Sequence, residues 1–296
     1  MQAEITAVKH RDNRWLYYSL ATIVLWGIWG AATELPARNG FPASLGYVVW
    51  ALTTIPCALV ALWLIKWEMN FSLKAVTYGM LIGLTGAGGQ VMLFQALRTG
   101  PAYLVFPIIS LSPVLTVVLA YMFLRERASL ANRIGIILAI ISIPLVIYQP
   151  PDQSATGVST WFLLSLAIFA MWGIQAYLMR FANGFMKAET IFFYMMISGL
   201  VFIPVELLAT DFKASINWGY SGLGIAIWSQ MLNSIGALCI VYAFRYGKAI
   251  LVSPMTNAGG PGLTILISLI MALTLPHYFV ISGIVLTIAA VVLLAL

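Results

Sequence analysis

An eight-residue pattern that recurs in the second half constrains this chain more than any other feature. Gln95-Ala96-Leu97-Arg98-Thr99-Gly100-Pro101-Ala102 is answered by Tyr242-Ala243-Phe244-Arg245-Tyr246-Gly247-Lys248-Ala249, at an offset of 147 residues. Pro107 has its counterpart in Pro254 at the same offset. Thr116 and Gly135 find theirs in Thr264 and Gly283 at 148, one residue having been inserted, and Trp26-Gly27 is matched by Trp172-Gly173 at 146. Self-similarity at a fixed period marks a chain built from repeats. Each copy holds five hydrophobic spans, an odd number, so two copies crossing a bilayer enter it with opposite orientation. Inverted repeats are the construction expected of an alternating-access transporter.

Composition agrees with crossing. The chain is 62% hydrophobic and 8% charged, against roughly 25% charged in soluble domains. Charge-free runs at 15–33, 39–65, 75–97, 214–244 and 249–296 each exceed or approach the ~20 helical residues that span a hydrocarbon core. The last run is too long for one helix, and Thr274-Leu275-Pro276-His277 is its natural break. The spans are expected at 15–33, 44–66, 74–97, 101–124, 131–149, 158–180, 188–208, 219–244, 249–272 and 275–296. The fold expected is therefore an all-α integral membrane protein, with ten transmembrane helices in two inverted five-helix repeats. Its organisation would be a cytoplasmic N-terminal segment at 1–14, a first repeat at 15–149, an outer linker at 150–157 and a second repeat at 158–296. Residues 1–14 carry no small-residue cleavage site after a brief apolar stretch, so the first span is expected to be retained. Cys57 and Cys239 fall inside spans and read as packing residues rather than a disulfide or a metal pair.

The basic residues set the orientation. With the N-terminus in the cytoplasm, 12 of them (Lys9, Arg11, Arg14, Lys66, Lys74, Arg125, Arg127, Arg133, Arg180, Lys187, Arg245 and Lys248) fall on the cytoplasmic side. Only 3 (Arg38, Arg98 and Lys213) fall outside. Such a bias fixes topology and puts both termini in the cytoplasm of a multi-pass protein of the cytoplasmic (inner) membrane. The formal charge of +6 is spread over short loops and forms no surface for nucleic acid.

A carrier's site is expected near the midplane, where the repeats meet and helices are interrupted. Polar side chains inside spans are expensive and face a cavity or each other. Two clusters qualify: Gly86-Ala87-Gly88-Gly89-Gln90 in span three, and Ser229-Gln230-Met231-Leu232-Asn233-Ser234 in span eight. Spacings of three and four put Gln230, Asn233 and Ser234 on one helical face. Their amides suit the reading of a polar substrate and equally the knitting together of helices. Pro113 in span four and Pro254 and Pro261 in span nine are expected to interrupt those helices, free backbone carbonyls and act as conformational elements. Asn257 lies between the latter two as a contact. Trp26, its repeat counterpart Trp172, and Gln175 supply cavity walls, with the lipid-interface belt as the alternative for the indoles. No Asp, Glu or His sits at an obvious midplane position. Glu34, followed by Pro36, is the candidate for an outer gating or coupling group, with a salt bridge to Arg38 as the alternative.

The segment Ala102 to Gly135 has a recognisable look. Its Ala-rich start, Pro107 and Pro113, its apolar run, Leu124-Arg125-Glu126-Arg127 and the following Gly135 resemble the most characteristic stretch of the EamA-type drug/metabolite transporter superfamily. The second copy departs from that pattern, with Ala272-Leu273-Thr274-Leu275-Pro276-His277 where a Glu-Arg element would stand. The resemblance implies an inner-membrane carrier of small solutes, with a central cavity made by both halves. The function expected is secondary transport of a small organic metabolite by alternating access. An uncoupled facilitator or sugar-type carrier is the alternative within transport, and a non-transporting membrane scaffold the alternative outside it. An enzyme is not expected, since the spans hold no metal cluster, paired acids at one depth or nucleophile–base constellation. No cofactor or metal is implied. The partners expected are the solute, membrane lipid and, in a homodimer, a second copy, with a monomer equally open.

Overall fold

A backbone threaded through hydrocarbon must satisfy its own polar groups, and every regular element among the described residues is helical. The computed structural model describes residues 13–32, 35–99, 105, 108–146, 148, 160–272 and 277–296. The first copy supplies α1 (Arg14–Ala32), the single turn α2 (Leu35–Arg38), α3 (Ala43–Leu64), α4 (Leu73–Thr99), α5 (Ser112–Phe123) and α6 (Leu130–Val146). The second supplies α7 (Thr160–Ala182), α8 (Ala188–Val201), α9 (Ile203–Leu208), α10 (Ile225–Tyr246), α11 (Ala249–Ala272) and α12 (Tyr278–Ala295).

Among the described residues, 7 helices are long and apolar enough to cross a membrane, where the sequence predicts ten. They are Arg14–Arg38, Ala43–Leu64, Leu73–Leu93, Thr160–Ala182, Ala188–Leu208, Tyr220–Tyr246 and Tyr278–Ala295. Two shorter apolar helices run over Ile108–Phe123 and Leu130–Leu145. The expected spans 101–124 and 131–149 extend beyond the described residues, and α11 has some of its side chains outside them. The chain is an all-α, multi-pass membrane protein. Its outer surface agrees, with Leu73, Leu130 and Ile270 each largely exposed.

Prolines act differently in different helices. Pro204 stands in the first turn of α9 and splits the expected span 188–208 at Phe202, because a residue without an N–H cannot continue the ladder. Tyr47 Oη donates to the carbonyl of Gly199 at 3.0 Å beside that break. Pro113 likewise opens α5, in the first turn after Leu111. The expected interruption of span nine is not observed: α11 runs unbroken from Ala249 to Ala272 through Pro254 and Pro261. It is packed against α1, α5, α6 and α12, and neighbouring helices can hold a proline-bearing membrane helix in one piece.

The two copies interleave. α1 packs on α10 and α11, and its counterpart α7 packs on α4 and α5. α4 lies against α8 as α10 lies against α3. The pairs α3–α8, α5–α11 and α6–α12 join each helix to its own counterpart. A contact in one direction thus has a partner in the other, the pattern of two pseudo-symmetric halves. The buried core lies along these seams, with Ile23, Ile82, Ile191, Phe192, Val241, Phe244 and Met255 in one cluster.

The two ends of the bundle differ. One gathers the basic residues: Lys187 Nζ meets Glu68 Oε2 at 2.7 Å, Arg180 Nε meets Glu126 Oε1 at 2.9 Å, and Arg14 lies 4.0 Å over the Tyr246 ring. At the other, Ser44 and Thr210 hydroxyls are 2.7 Å apart, Asn217 Nδ2 donates to Asn39 O at 2.9 Å, and Phe41 meets Trp218 edge-on. Gly40 makes the turn into α3 there with φ +83°, open to glycine at little cost.

Candidate functional site

Two seams related by the repeat carry most of the residues singled out from the sequence. In the first, α1 lies against α10. The indole of Trp26 packs over Gly236, and its Nε1 donates to the carbonyl of Asn233 at 3.3 Å. In the second, α7 lies against α4, where Trp172 packs over Gly89 and donates to the carbonyl of Gly86 at 3.4 Å. Gly86 and Asn233, like Gly89 and Gly236, are 147 residues apart. A second mated pair involves the next residue of each copy. Thr264 Oγ1 donates to Gly27 O at 3.1 Å, and Thr116 Oγ1 donates to Gly173 O at 3.1 Å. Each bond crosses between the copies, and each has a mate.

The amide cluster of α10 is self-contained. Asn233 Nδ2 donates to Gln230 Oε1 at 3.3 Å, and both side chains are half-buried. Ser234 is fully buried, and its Oγ lies 2.9 Å from Thr53 Oγ1 on α3. Thr53 also donates to Gln230 O at 3.3 Å. Sequence reasoning missed Thr53; a hydroxyl in the middle of an apolar span was the available signal. Across the molecule, Gln175 packs against Gly86, and Gln90 stands one turn further along α4. Among the described residues, neither the Gln90 nor the Gln175 amide makes a hydrogen bond, and both are half-buried. Trp29 Nε1, one turn from Trp26, is buried with no partner among the described residues. A buried polar group without a partner, as Trp29 Nε1 is among the described residues, is costly unless something else meets it.

Other candidates fall elsewhere. Asn257 turns back on its own helix, its Nδ2 donating to Ser253 O at 3.0 Å. Pro261 lies four residues beyond it and leaves the Asn257 carbonyl without its usual helical donor. Pro254 and Pro113 are fully buried. Glu34 lies outside the described residues. The buried acids among the described residues keep to the ends of helices or of the bundle. Glu126 and Glu189 are at the basic end, and Glu206 is in α9. Glu189 accepts from Tyr242 Oη at 2.6 Å, while its other oxygen stands 4.0 Å from Arg245 Nη1. No group of three or more His, Cys, Asp and Glu capable of holding a metal occurs among the described residues.

Two open cavities flank these seams without containing them. One of about 490 Å³ at the basic end is lined by Glu68, Asn70, Phe185, Lys187 and Thr190 among others. The other, an apolar groove of about 280 Å³, runs between α3 and α10 past Leu52, Pro56, Ile227 and Met231, and reaches Thr53.

The EamA-like transporter family matches residues 13–148. An uncharacterized protein of Methanocaldococcus jannaschii is 38% identical over 73 residues, which is 25% of this chain and 53% of the relative. The chain thus spans about half the length of the curated relative it matches. A solved crystal structure, 15% identical in sequence, superposes with a TM-score of 0.77 over 96% of both chains. At that identity the likeness speaks for the fold.

Proposed function

From a chain with the EamA-like membrane transporter fold, of the drug/metabolite superfamily, we propose a secondary carrier that moves a small organic metabolite across the cytoplasmic membrane by alternating access. The ten crossing helices are the seven long ones, the two shorter apolar helices and α11. They form inverted repeats over 15–149 and 158–296, joined by an outer linker at 150–157. The mated bonds carry this reading: Trp26 to Asn233 with Trp172 to Gly86, and Thr264 to Gly27 with Thr116 to Gly173. Equal contacts on two seams let the molecule exchange one arrangement for its pseudo-two-fold-related counterpart at small net cost, as rocking about a central site requires.

The substrate meets Gln90, Gln175, Gln230 and Asn233, with Trp26, Trp172 and Asn257 completing the walls. Pro113, Pro254 and Pro261 serve as conformational elements. The basic end is cytoplasmic, as the bias of 12 basic residues to 3 requires, and both termini lie there. The protein acts as a monomer or a homodimer, and nucleic acid is not a partner. Glu34 is the coupling group at the outer end of the first span.

Purified protein in liposomes, screened against a broad solute library with and without an imposed pH gradient, tests the carrier reading. Saturable, gradient-responsive flux of one solute class is expected, and Glu34→Gln should flatten its pH profile while leaving affinity unchanged. Flux indifferent to the gradient would make the protein a facilitator, and flux of no solute would favour a scaffold.

A further inference from the structure

A strained turn at the basic end aims one carboxylate at two helices of the opposite repeat. Arg125, between α5 and α6, takes φ +52°, a conformation that an L-residue holds only when its surroundings impose it. The next residue, Glu126, is 8% exposed. Its Oε1 accepts from Arg180 Nε at 2.9 Å, and its Oε2 accepts from the backbone N–H of Ile250 at 3.2 Å. Arg180 lies in the last turn of α7 and Ile250 in the first turn of α11, so the two oxygens of one side chain fasten two helices. A carboxylate at a helix N-terminus is also favoured by the unpaired donors there. Arg180 Nη1 donates to Phe244 O at 3.3 Å, which adds α10, and Lys248 donates to Arg127 O in the same loop.

The repeat register does not carry this pairing into the other copy. Arg180 is matched by Glu34 at an offset of 146, and Glu126 by Thr274 at 148. A glutamate and a threonine cannot make a guanidinium–carboxylate pair, so the sequence does not repeat this pairing in the other copy. Only the carboxylate of this pair is buried, the Arg180 side chain being 31% exposed, and removing the partners of a buried charge is costly.

We propose that Glu126 is a two-armed latch that holds the basic end shut. Opening a path on that side requires both arms to release. The proposal rests on the alternating-access reading above, but its test needs no substrate. In a background with Cys57→Ala and Cys239→Ala, the reporter is Ser253→Cys, at a position 1% exposed and one turn into α11 beyond Ile250. Its reaction rate with a small polar thiol reagent is measured in lipid nanodiscs. Glu126→Gln, which keeps one acceptor, should raise the rate severalfold, and Glu126→Ala tenfold or more. Arg180→Lys should raise it by less than Glu126→Ala. Glu68→Gln, which breaks only the exposed pair with Lys187 at the same end, should leave it unchanged. An unchanged rate in monodisperse, fully helical Glu126 variants overturns the latch, as does an equal rise from Glu68→Gln. If the Glu126 variants fail to fold, an unchanged rate in Arg180→Lys overturns it. Absence of solute flux with the graded labelling intact would sink the carrier reading and leave the latch standing.

Discussion

At the scale of single residues, Gly89 and Gly236 sit where a β-carbon has no room. A Cβ at Gly236 would lie 2.6 Å from Trp26 Nε1, and one at Gly89 would collide with the indole nitrogen of Trp172. Both indoles are held by a hydrogen bond to the facing backbone, so neither can move aside freely. Gly89→Ala and Gly236→Ala should therefore each destabilise the protein by about 1–3 kcal/mol, the usual cost of overpacking. Since the positions are repeat counterparts, the two losses should agree within about 1 kcal/mol, a comparison that thermal unfolding in detergent can make. The amides behave differently. Gln230 and Asn233 bond to one another and are half-buried, so Gln230→Ala and Asn233→Ala should leave membrane abundance and unfolding temperature near the parent. Flux should fall about tenfold or more, as for the loss of one well-made polar contact worth ~1.5 kcal/mol. Normal rate and affinity in both folded variants would make these amides structural and move the site off this face. The repeat drew attention to Trp26 and Trp172 in the sequence. That their nitrogens reach Asn233 and Gly86, on the other copy, depends on which helices become neighbours.

At the scale of elements, α11 is the helix in which sequence and structure part. Two internal prolines are expected to interrupt the span 249–272, yet α11 is continuous, with α1, α5, α6 and α12 packed against it. Its prolines still leave the carbonyls of Ile250 and Asn257 without their helical donors, and such a helix bends more easily than a fully bonded one. Pro261→Ala returns a donor to the ladder, so the unfolding temperature should hold or rise. If α11 bends during the transport cycle, the rate of flux should fall severalfold with substrate affinity little changed. Parallel measurement of unfolding and flux checks this, and full flux in a stabilised variant would make Pro261 a packing residue. The converse case is the expected span 188–208, read as one helix and observed as α8 and α9. Pro204 was visible in the sequence. The Tyr47 hydroxyl on α3, which donates to the Gly199 carbonyl beside the break, is a contact that only the packed helices supply.

At the scale of the whole molecule, the basic residues gather at one end although they come from helices throughout the chain. A cysteine placed at Ser129, in the loop after α5, should therefore be protected from an impermeant reagent in intact cells and label readily in inverted vesicles, after removal of Cys57 and Cys239. Efficient labelling in intact cells would reverse the orientation. The repeat, the helical class and this charge bias were legible in the sequence, because each follows from local composition and from a period that survives divergence. The interleaving was not. Nothing in the order of residues says that α1 leaves its own copy to lie between α10 and α11, or that Glu126 reaches α7 and α11 at once. Those choices depend on how apolar helix surfaces fit together, and in lipid there is no burial from water to rank one fit above another. Close approach at glycines and a few cross-chain hydrogen bonds decide the arrangement, and they exist only once the helices have met.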